Sequence, residues 1–281
     1  MPICSCGTVD IYYEVHREGF PLLMVSGLGG GTWSWYGQLP CFSEFYRTIV
    51  FDNRGAGRSG MPPGPYSMGD FTKDALCLLD RLGVEEAFIM GLSMGGMIAQ
   101  EIALAAPERV RALVLGCTHF GGELRIPPEG EVIRTLVNNA GLTLEQIIDK
   151  NIPLFFSERF RREHPERVAR YREVQLAAPE QPDFALQAQL AAIQGFDCGE
   201  RLGTIACPTL IVTGSQDIVV PRENSYLMGE TLPGAEVVVI PGAGHAIHVE
   251  CADALNDLVL HFFGNVGVVG TTHGGSIEDG F

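Results

Sequence analysis

Ala87-Phe88-Ile89-Met90-Gly91-Leu92-Ser93-Met94-Gly95-Gly96-Met97 is the stretch that decides the fold, because it joins an apolar strand to a helix through a sharp turn. Glycines frame the serine, since a turn this tight leaves little room for side chains beside its backbone. The apolar run before the turn predicts a buried strand, and residues 97–106 predict a helix. The pattern is typical of a serine presented at the end of a strand, with the following amides at a helix N-terminus. An ordinary strand-to-helix turn is the alternative.

Two later loops supply the residues that a reactive serine needs. A serine hydroxyl requires a neighbouring base, usually a histidine that a carboxylate orients. Asp217 follows a predicted strand at 209–213, and His245 follows a predicted strand at 237–240. The carboxyl ends of parallel strands meet at one edge of a sheet. The sequence therefore predicts a catalytic triad of Ser93, Asp217 and His245.

Other residues remain open for two of these roles. His248 lies three residues after His245, on the same face of a helix that begins there, and is the second candidate for the base. Asp197 is the reserve carboxylate, because Asp217 can also be interpreted as a turn former or a helix cap before Pro221. The glycine before His245 and the order of the residues along the chain favour the triad as predicted.

A glycine-rich loop, Ser26-Gly27-Leu28-Gly29-Gly30, follows an early apolar run at 22–25. An acyl-transfer site needs two backbone N–H groups that stabilise the developing oxyanion. One is expected from the residue after the nucleophile and the other from the loop after an early strand. We therefore predict an oxyanion hole formed by the N–H groups of Leu28 and Met94, with a plain glycine-rich turn as the alternative.

Apolar strand-like runs alternate with helical patterns over much of the chain. The strand-like runs are apolar on both faces, which is typical of a parallel sheet that helices cover on both sides. The helical pattern after Ser67 places Phe71, Leu78 and Leu82 on one face. The predicted fold class is thus α/β, with a mostly parallel central sheet and helices on both faces.

The strand pattern disappears from residue 120 to about residue 199. We interpret residues 120–199 as a helical cap inserted into a core formed by residues 1–119 and 200–263. Residues 264–281 are rich in glycine and threonine and are predicted to form a loosely held C-terminal tail.

The chain resembles the α/β-hydrolase fold family from Thr8 to about Phe263, and within it small bacterial carboxylesterases and enol-lactone hydrolases. Two departures concern loops near the predicted site. The family usually has His-Gly where this chain has Ser26-Gly27, so the loop must be held by different hydrogen bonds. It also often has proline two residues after Glu250, where this chain has Ala252. The resemblance is carried by Gly91-Leu92-Ser93-Met94-Gly95-Gly96-Met97, by Phe51-Asp52-Asn53-Arg54-Gly55-Ala56-Gly57-Arg58-Ser59, and by Gly214-Ser215-Gln216-Asp217 together with Gly244-His245.

The resemblance implies a serine hydrolase that cleaves a small or medium carboxylic ester or lactone through an acyl-enzyme intermediate, with no cofactor. Epoxide hydrolases and haloalkane dehalogenases of the family have aspartate where this chain has Ser93. C–C bond hydrolysis, aminopeptidase activity and perhydrolysis on the same triad stay open, as does a slow-turnover ligand receptor. Apolar residues near the loops and in the cap are candidates for the substrate pocket, with core packing as the alternative for each. They are Leu28, Trp33, Trp35, Met94, Phe120, Phe155, Phe156 and Ile247.

Composition limits the partners and the compartment. A formal charge of −15 argues against nucleic acid and anionic membranes, so the expected partner is a small molecule, and a homo-oligomer stays open. The sequence shows neither an apolar stretch long enough to span a membrane nor a secretory signal. No cysteine–histidine cluster has metal-ligand spacing, so no metal is expected. The eight cysteines are interpreted as reduced thiols of a cytoplasmic protein, with Cys4 and Cys6 as an alternative crosslinking pair.

Overall fold

The computed structural model describes residues 2–267, which contain eight strands and twelve α-helices. The strands are β1 (Ile3–Cys6), β2 (Val9–His16), β3 (Pro21–Val25), β4 (Arg47–Phe51), β5 (Ala87–Leu92), β6 (Val110–Gly116), β7 (Thr209–Gly214) and β8 (Glu236–Ile240). The helices are α1 (Leu39–Phe42), α2 (Met68–Arg81), α3 (Met94–Ala105), α4 (Gly130–Val137), α5 (Leu144–Phe155), α6 (Glu158–Glu163), α7 (Pro165–Ala177), α8 (Asp183–Gln194), α9 (Gly199–Leu202), α10 (Glu223–Thr231), α11 (Ile247–Glu250) and α12 (Ala252–Val266).

All eight strands form one sheet in the order β1-β2-β4-β3-β5-β6-β7-β8. Strands β3 to β8 are parallel to one another, whereas β2 is antiparallel to both β1 and β4. Every residue of β5 and β7 is buried, which is why their sequences are apolar on both faces. The predicted fold class, a mostly parallel sheet between two layers of helices, is confirmed.

Hydrophobic clusters hold helices to both faces of the sheet. On one face, α2 and α3 supply buried residues such as Phe71, Leu78 and Ile98. On the other face, Phe88 of β5 stacks on Phe263 of α12, with ring centroids 4.2 Å apart. The central strands are therefore clamped between apolar layers, and their carboxyl ends are fixed relative to one another.

Residues 120–199, which we call the cap, leave the sheet after β6 and return before β7. Helices α4 to α8 lie in this segment, and α9 begins at its last residue. The two ends of the cap meet at an antiparallel bridge between Gly121 and Asp197. The Cys198 N–H also donates to the Phe120 carbonyl at 2.9 Å. This bridge forms a narrow neck between cap and core, while the division of the chain into separate domains stays a prediction.

Three features of the structure differ from the sequence-based expectations or lie beyond them. Strand β1 was not predicted. Helix α12 runs to Val266, so the C-terminal tail cannot begin at residue 264 as predicted, and residues 268–281 lie outside the described part of the chain. Cys6 and Cys77 form a disulfide, with Cα atoms 5.8 Å apart, so the expectation of reduced thiols is wrong for this pair.

The disulfide also shows that the alternative, a crosslink between Cys4 and Cys6, is wrong. The Cys4 sulfur lies 3.4 Å from that of Cys6, but the covalent partner of Cys6 is Cys77 on α2.

Within residues 2–267, no helix combines the length and the apolar character that crossing a bilayer requires. The cytoplasmic location stays a prediction.

Candidate active site

Ser93 occupies the turn between β5 and α3 in a strained backbone conformation, with φ +55° and ψ −122°. Few residues other than glycine adopt a positive φ, and such strain persists only where the surroundings enforce it. A Cβ atom on Gly91 would lie 2.2 Å from the Gly95 carbonyl oxygen, so the turn cannot close with a side chain there. The Ser93 N–H donates to the Gly116 carbonyl at 2.8 Å, which ties the turn to β6.

The structure brings the three predicted triad residues into one hydrogen-bonded chain. His245 Nε2 lies 3.1 Å from Ser93 Oγ, and His245 Nδ1 lies 2.8 Å from Asp217 Oδ2. Asp217 has a fully buried side chain, and that of His245 is 11% exposed. The second Asp217 oxygen accepts the N–H groups of Val219 and Val220 at 2.9 and 2.8 Å. This carboxylate is thus fixed in position, with one oxygen left for the imidazole.

The competing residues lie elsewhere. The backbone carbonyl of His248 accepts a hydrogen bond from the Gln38 amide, and its ring packs 6.2 Å from that of Trp35. Burial, and then the charge of His245, lower the pKa of His248 to about 4. The Asp197 carboxylate accepts the Gly199 N–H at 3.0 Å, at the neck of the cap. The geometry therefore joins Ser93 to His245 and Asp217 rather than to either alternative.

The predicted oxyanion loop forms a tight turn against the nucleophile. The Gly30 N–H donates to the Gly27 carbonyl at 3.0 Å, and Gly29 has φ +67°. A Cβ atom on Gly27 would lie 3.3 Å from the Ser93 Cβ, so the loop passes directly beside the serine. Met94 is the first residue of α3, and N–H groups in a first helical turn have no acceptor within the helix. The roles of Leu28 and Met94 in an oxyanion hole stay a prediction.

The structure shows how the oxyanion loop is held without the usual histidine. The Ser26 carbonyl accepts a hydrogen bond of 2.9 Å from the Asn53 side-chain amide. The Ser26 hydroxyl itself is buried and has no hydrogen-bond partner among residues 2–267. The loop is thus anchored through its main chain to the second residue after β4, by hydrogen bonds other than those of the usual histidine.

The predicted pocket residues divide into two groups. Phe155 lies near the site, with its ring centroid 5.9 Å from that of His245, and Trp33 packs against Gly31 and Gly57. Four of the other candidates are buried in hydrophobic clusters, as the core-packing alternative expects, and their place in a substrate pocket stays a prediction. They are Trp35 and Ile247, both fully buried, together with Phe120 and Phe156.

Two residues that sequence reasoning missed contact the triad or its loops. The thiol of Cys117, an oxygen of Asp217 and a ring nitrogen of His245 all lie within 4.8 Å of one another. Burial, with the charge of Asp217, raises the pKa of Cys117 well above its ordinary value, so this thiol is neutral. The buried Glu250 carboxylate accepts N–H groups from Gly244 and Ser157, each at 3.1 Å. A lone cysteine and a lone glutamate carry no spacing pattern that could have identified them.

Residues with metal-binding side chains cluster at two places in the described chain. Cys4, Cys6 and Cys77 form one cluster, but two of its sulfurs are bonded to each other. The other cluster contains Asp217 and His245, which already bind each other. Neither arrangement resembles an open ligand set, and the expected absence of a metal stays a prediction.

Comparison with known proteins identifies a family, a sequence relative and two similar structures. The alpha/beta hydrolase fold profile matches residues 21–251. A protein of Azorhizobium caulinodans named "Putative carbamate hydrolase RutD" is 33% identical over 269 residues, covering 95% of this chain and 99% of that protein. A thermophilic esterase from Thermogutta terrifontis superposes with a TM-score of 0.81 at 28% identity, covering 95% of this chain and 98% of the esterase. Est816, described as an N-acyl homoserine lactone degrading enzyme, superposes with a TM-score of 0.81 at 30% identity, covering 93% of this chain and 100% of Est816. The resemblance predicted from the sequence motifs is confirmed.

Proposed function

This chain is a hydrolase of the alpha/beta hydrolase fold family, and we propose that it cleaves a small or medium carboxylic ester or lactone through an acyl-enzyme intermediate on Ser93. The observation that carries the proposal is the chain of hydrogen bonds from Ser93 through His245 to Asp217, at 3.1 and 2.8 Å. The likeness to an esterase and to a lactone-degrading enzyme supports this class of substrate.

The proposed reaction has two halves. His245 takes the proton of Ser93 as the serine oxygen attacks the substrate carbonyl, and then gives that proton to the leaving alcohol. Asp217 holds the imidazole in the required tautomer and stabilises its cation. In the second half, water attacks the acyl-enzyme with His245 again as the base, which releases the acid and restores Ser93. The N–H groups of Leu28 and Met94 are proposed to bind the oxyanion in both halves.

Carbamate hydrolysis is a second candidate, favoured by the name of the Azorhizobium relative. A carbamate presents the same kind of carbonyl carbon to Ser93 but carries nitrogen on one side. The nitrogen lone pair makes that carbonyl less electrophilic than the carbonyl of an ester. The two candidates therefore share the nucleophile and differ in the leaving group and in the contacts of the pocket.

Turnover by the Ser93→Ala variant tests the proposal. We expect kcat/KM for p-nitrophenyl acetate to fall by at least about 10⁴-fold, because the nucleophile is lost. Ser5→Ala, which removes an exposed hydroxyl from β1, is the matched control and should leave kcat/KM unchanged. The wild-type protein should also gain the mass of a fluorophosphonate adduct, which Ser93→Ala should not.

The same pair of proteins distinguishes the candidate substrates. An N-acyl homoserine lactone and an aryl carbamate should be assayed beside the ester, each with Ser93→Ala as the blank. Turnover of the carbamate above that of the ester would favour the second candidate. Equal turnover by wild type and Ser93→Ala would overturn the serine mechanism, and a single burst without further turnover would favour a ligand receptor.

A further inference from the structure

A buried glutamine of the cap lies against the predicted oxyanion loop. Gln189 is on α8, and its side chain has no exposed surface. Its Oε1 accepts the Gly29 N–H at 2.9 Å, and its Nε2 donates to the Arg54 carbonyl at 2.7 Å. One amide thus binds the oxyanion loop with its oxygen and the loop after β4 with its nitrogen.

A second glutamine fixes the orientation of the first. The Gln181 Nε2 donates to Gln189 Oε1 at 3.1 Å and to the Gly55 carbonyl at 2.7 Å. These bonds assign the oxygen of Gln189 to the side that faces Gly29, because both Gln181 and Gly29 offer N–H donors there. The pair therefore forms a polar connection from the cap to two loops of the core.

The hydrogen bond to Gly29 fixes a peptide that could otherwise turn over. Gly27 to Gly30 form a β-turn, and the φ of +67° at its third residue is the type II arrangement. The central peptide of such a turn, between Leu28 and Gly29, reverses its direction if the turn changes to type I. An acceptor held at the Gly29 N–H favours the type II arrangement. The Leu28 N–H belongs to the adjacent peptide of the same turn, so an anchor at Gly29 also limits the movement of this N–H.

We propose that Gln189 is a positioning residue that anchors this turn to the cap and thereby keeps the Leu28 N–H in place beside Ser93. The inference rests on the proposed function, because it needs an oxyanion to form beside Ser93. A neutral amide suits this place, because it supplies a hydrogen-bond acceptor and carries no negative charge. A negative charge here would repel the oxyanion that develops during the reaction. The core would then supply the triad, and the cap would complete the oxyanion hole.

The variant Gln189→Met tests the proposal, because it keeps a side chain of similar length and removes both hydrogen bonds. We expect kcat to fall by about 10²-fold, the scale of losing one oxyanion donor, while KM changes by less than about threefold. Binding of an aryl trifluoromethyl ketone, which forms an oxyanion when Ser93 adds to it, should weaken by a similar factor. Gln187→Met, at an exposed position on the same helix, is the matched control and should change neither quantity.

Two further variants keep the test decisive. Gln181→Leu removes the supporting glutamine but leaves the bond to Gly29, so its kcat should fall by less than about fivefold. If Gln189→Met does not fold, Gln189→Leu replaces it, with the same expected losses of kcat and ketone binding, because leucine also offers no acceptor to the Gly29 N–H.

The outcomes distinguish a failure of the positioning role of Gln189 from a failure of the proposed function. A folded Gln189 variant with wild-type kcat and ketone affinity would overturn the positioning role, as would a rise in KM alone, which indicates only a substrate contact. If the wild-type protein shows neither Ser93-dependent turnover nor inhibition by the ketone, the proposed function itself fails.

Discussion

The core and the cap differ in the interactions that stabilise each of them. In the core, every side chain of β5 and β7 is buried, and the helices pack through apolar clusters on both faces. In the cap, the 13-residue helix α7 buries only Tyr171, and α5 buries only Ile148. The cap meets the catalytic loops through hydrogen bonds that Gly29 donates to Gln189 and Ser157 donates to Glu250, together with one small apolar cluster. This difference suggests a division of labour, in which apolar packing fixes the triad and polar contacts adjust the loops around it.

The largest expected effect belongs to the core. Asp217→Asn should lower kcat by about 10⁴-fold, because an amide in place of the carboxylate favours the wrong imidazole tautomer and removes the charge that stabilises the imidazolium. Steady-state kinetics on the best ester of the substrate panel measures this change. The matched control is Asp197→Asn at the neck of the cap, which should change kcat by less than about threefold.

The result also tests the interpretation that the core alone supplies the triad. If kcat falls by less than tenfold in Asp217→Asn, or by a comparable factor in Asp197→Asn, then the carboxylate that orients His245 is not Asp217 alone.

Much of the core could be predicted from the sequence, because local patterns determine it. A strand that is buried on both faces must be apolar throughout, and the loops after such strands meet at one edge of the sheet. Ser93, Asp217 and His245 each follow a strand of this kind, so their order along the chain was enough to bring them together. Strand β1 escaped prediction because Ile3–Cys6 is short, mixed in polarity and located at the sheet edge.

The contacts of the cap could not be predicted in the same way. Gln189 is 160 positions from Gly29 along the chain, and Glu250 is 93 positions from Ser157. No periodicity links such pairs, and an isolated glutamine or glutamate looks like any surface residue until the fold buries it. The same reason hid the disulfide, whose cysteines are 71 residues apart.

The next largest effect tests the polar contact between the cap and the loop that carries His245. This loop, residues 241–246, is called the histidine loop below. Glu250→Ala leaves the buried N–H groups of Gly244 and Ser157 without their acceptor, which should lower the free energy of unfolding by about 1–3 kcal/mol. Because Gly244 precedes His245, kcat/KM should also fall by about tenfold. Denaturant titration and steady-state kinetics measure the two changes.

Two other variants sharpen this measurement. Glu250→Gln keeps one oxygen that can accept both N–H groups, so its losses should be smaller than those of Glu250→Ala. Glu180→Ala, at an exposed position of the cap, should behave as wild type. Normal kcat/KM in a stable Glu250→Ala variant would show that the cap does not position the histidine loop.

The last effect concerns the neck of the cap and is absent at neutral pH. Burial, and then the charge of Arg125, lower the pKa of His119 to about 4, below the ordinary histidine value of about 6.5. Its Nδ1 accepts the Gly121 N–H at 3.0 Å, which requires that nitrogen to be unprotonated. Between about pH 6.5 and about pH 4 the unfolded chain therefore binds a proton here that the folded chain does not. The stability contributed by neutral His119 is complete above about pH 6.5 and is lost as the pH falls toward 4, by about 1.4 kcal/mol per pH unit.

His119→Gln isolates this contribution, because the amide does not titrate. The free energy of unfolding, measured by denaturant titration from about pH 7 to about pH 4, should fall less steeply in this variant than in wild type, by about 1.4 kcal/mol per pH unit. His261→Gln, on the exposed face of α12, should keep the wild-type slope. Buried His248 titrates in all three proteins and cancels from the comparison. If the free energy of unfolding has the same pH slope in wild type and His119→Gln, protonation at the neck does not destabilise the fold. The contacts that join the cap to the core would then be insensitive to acid.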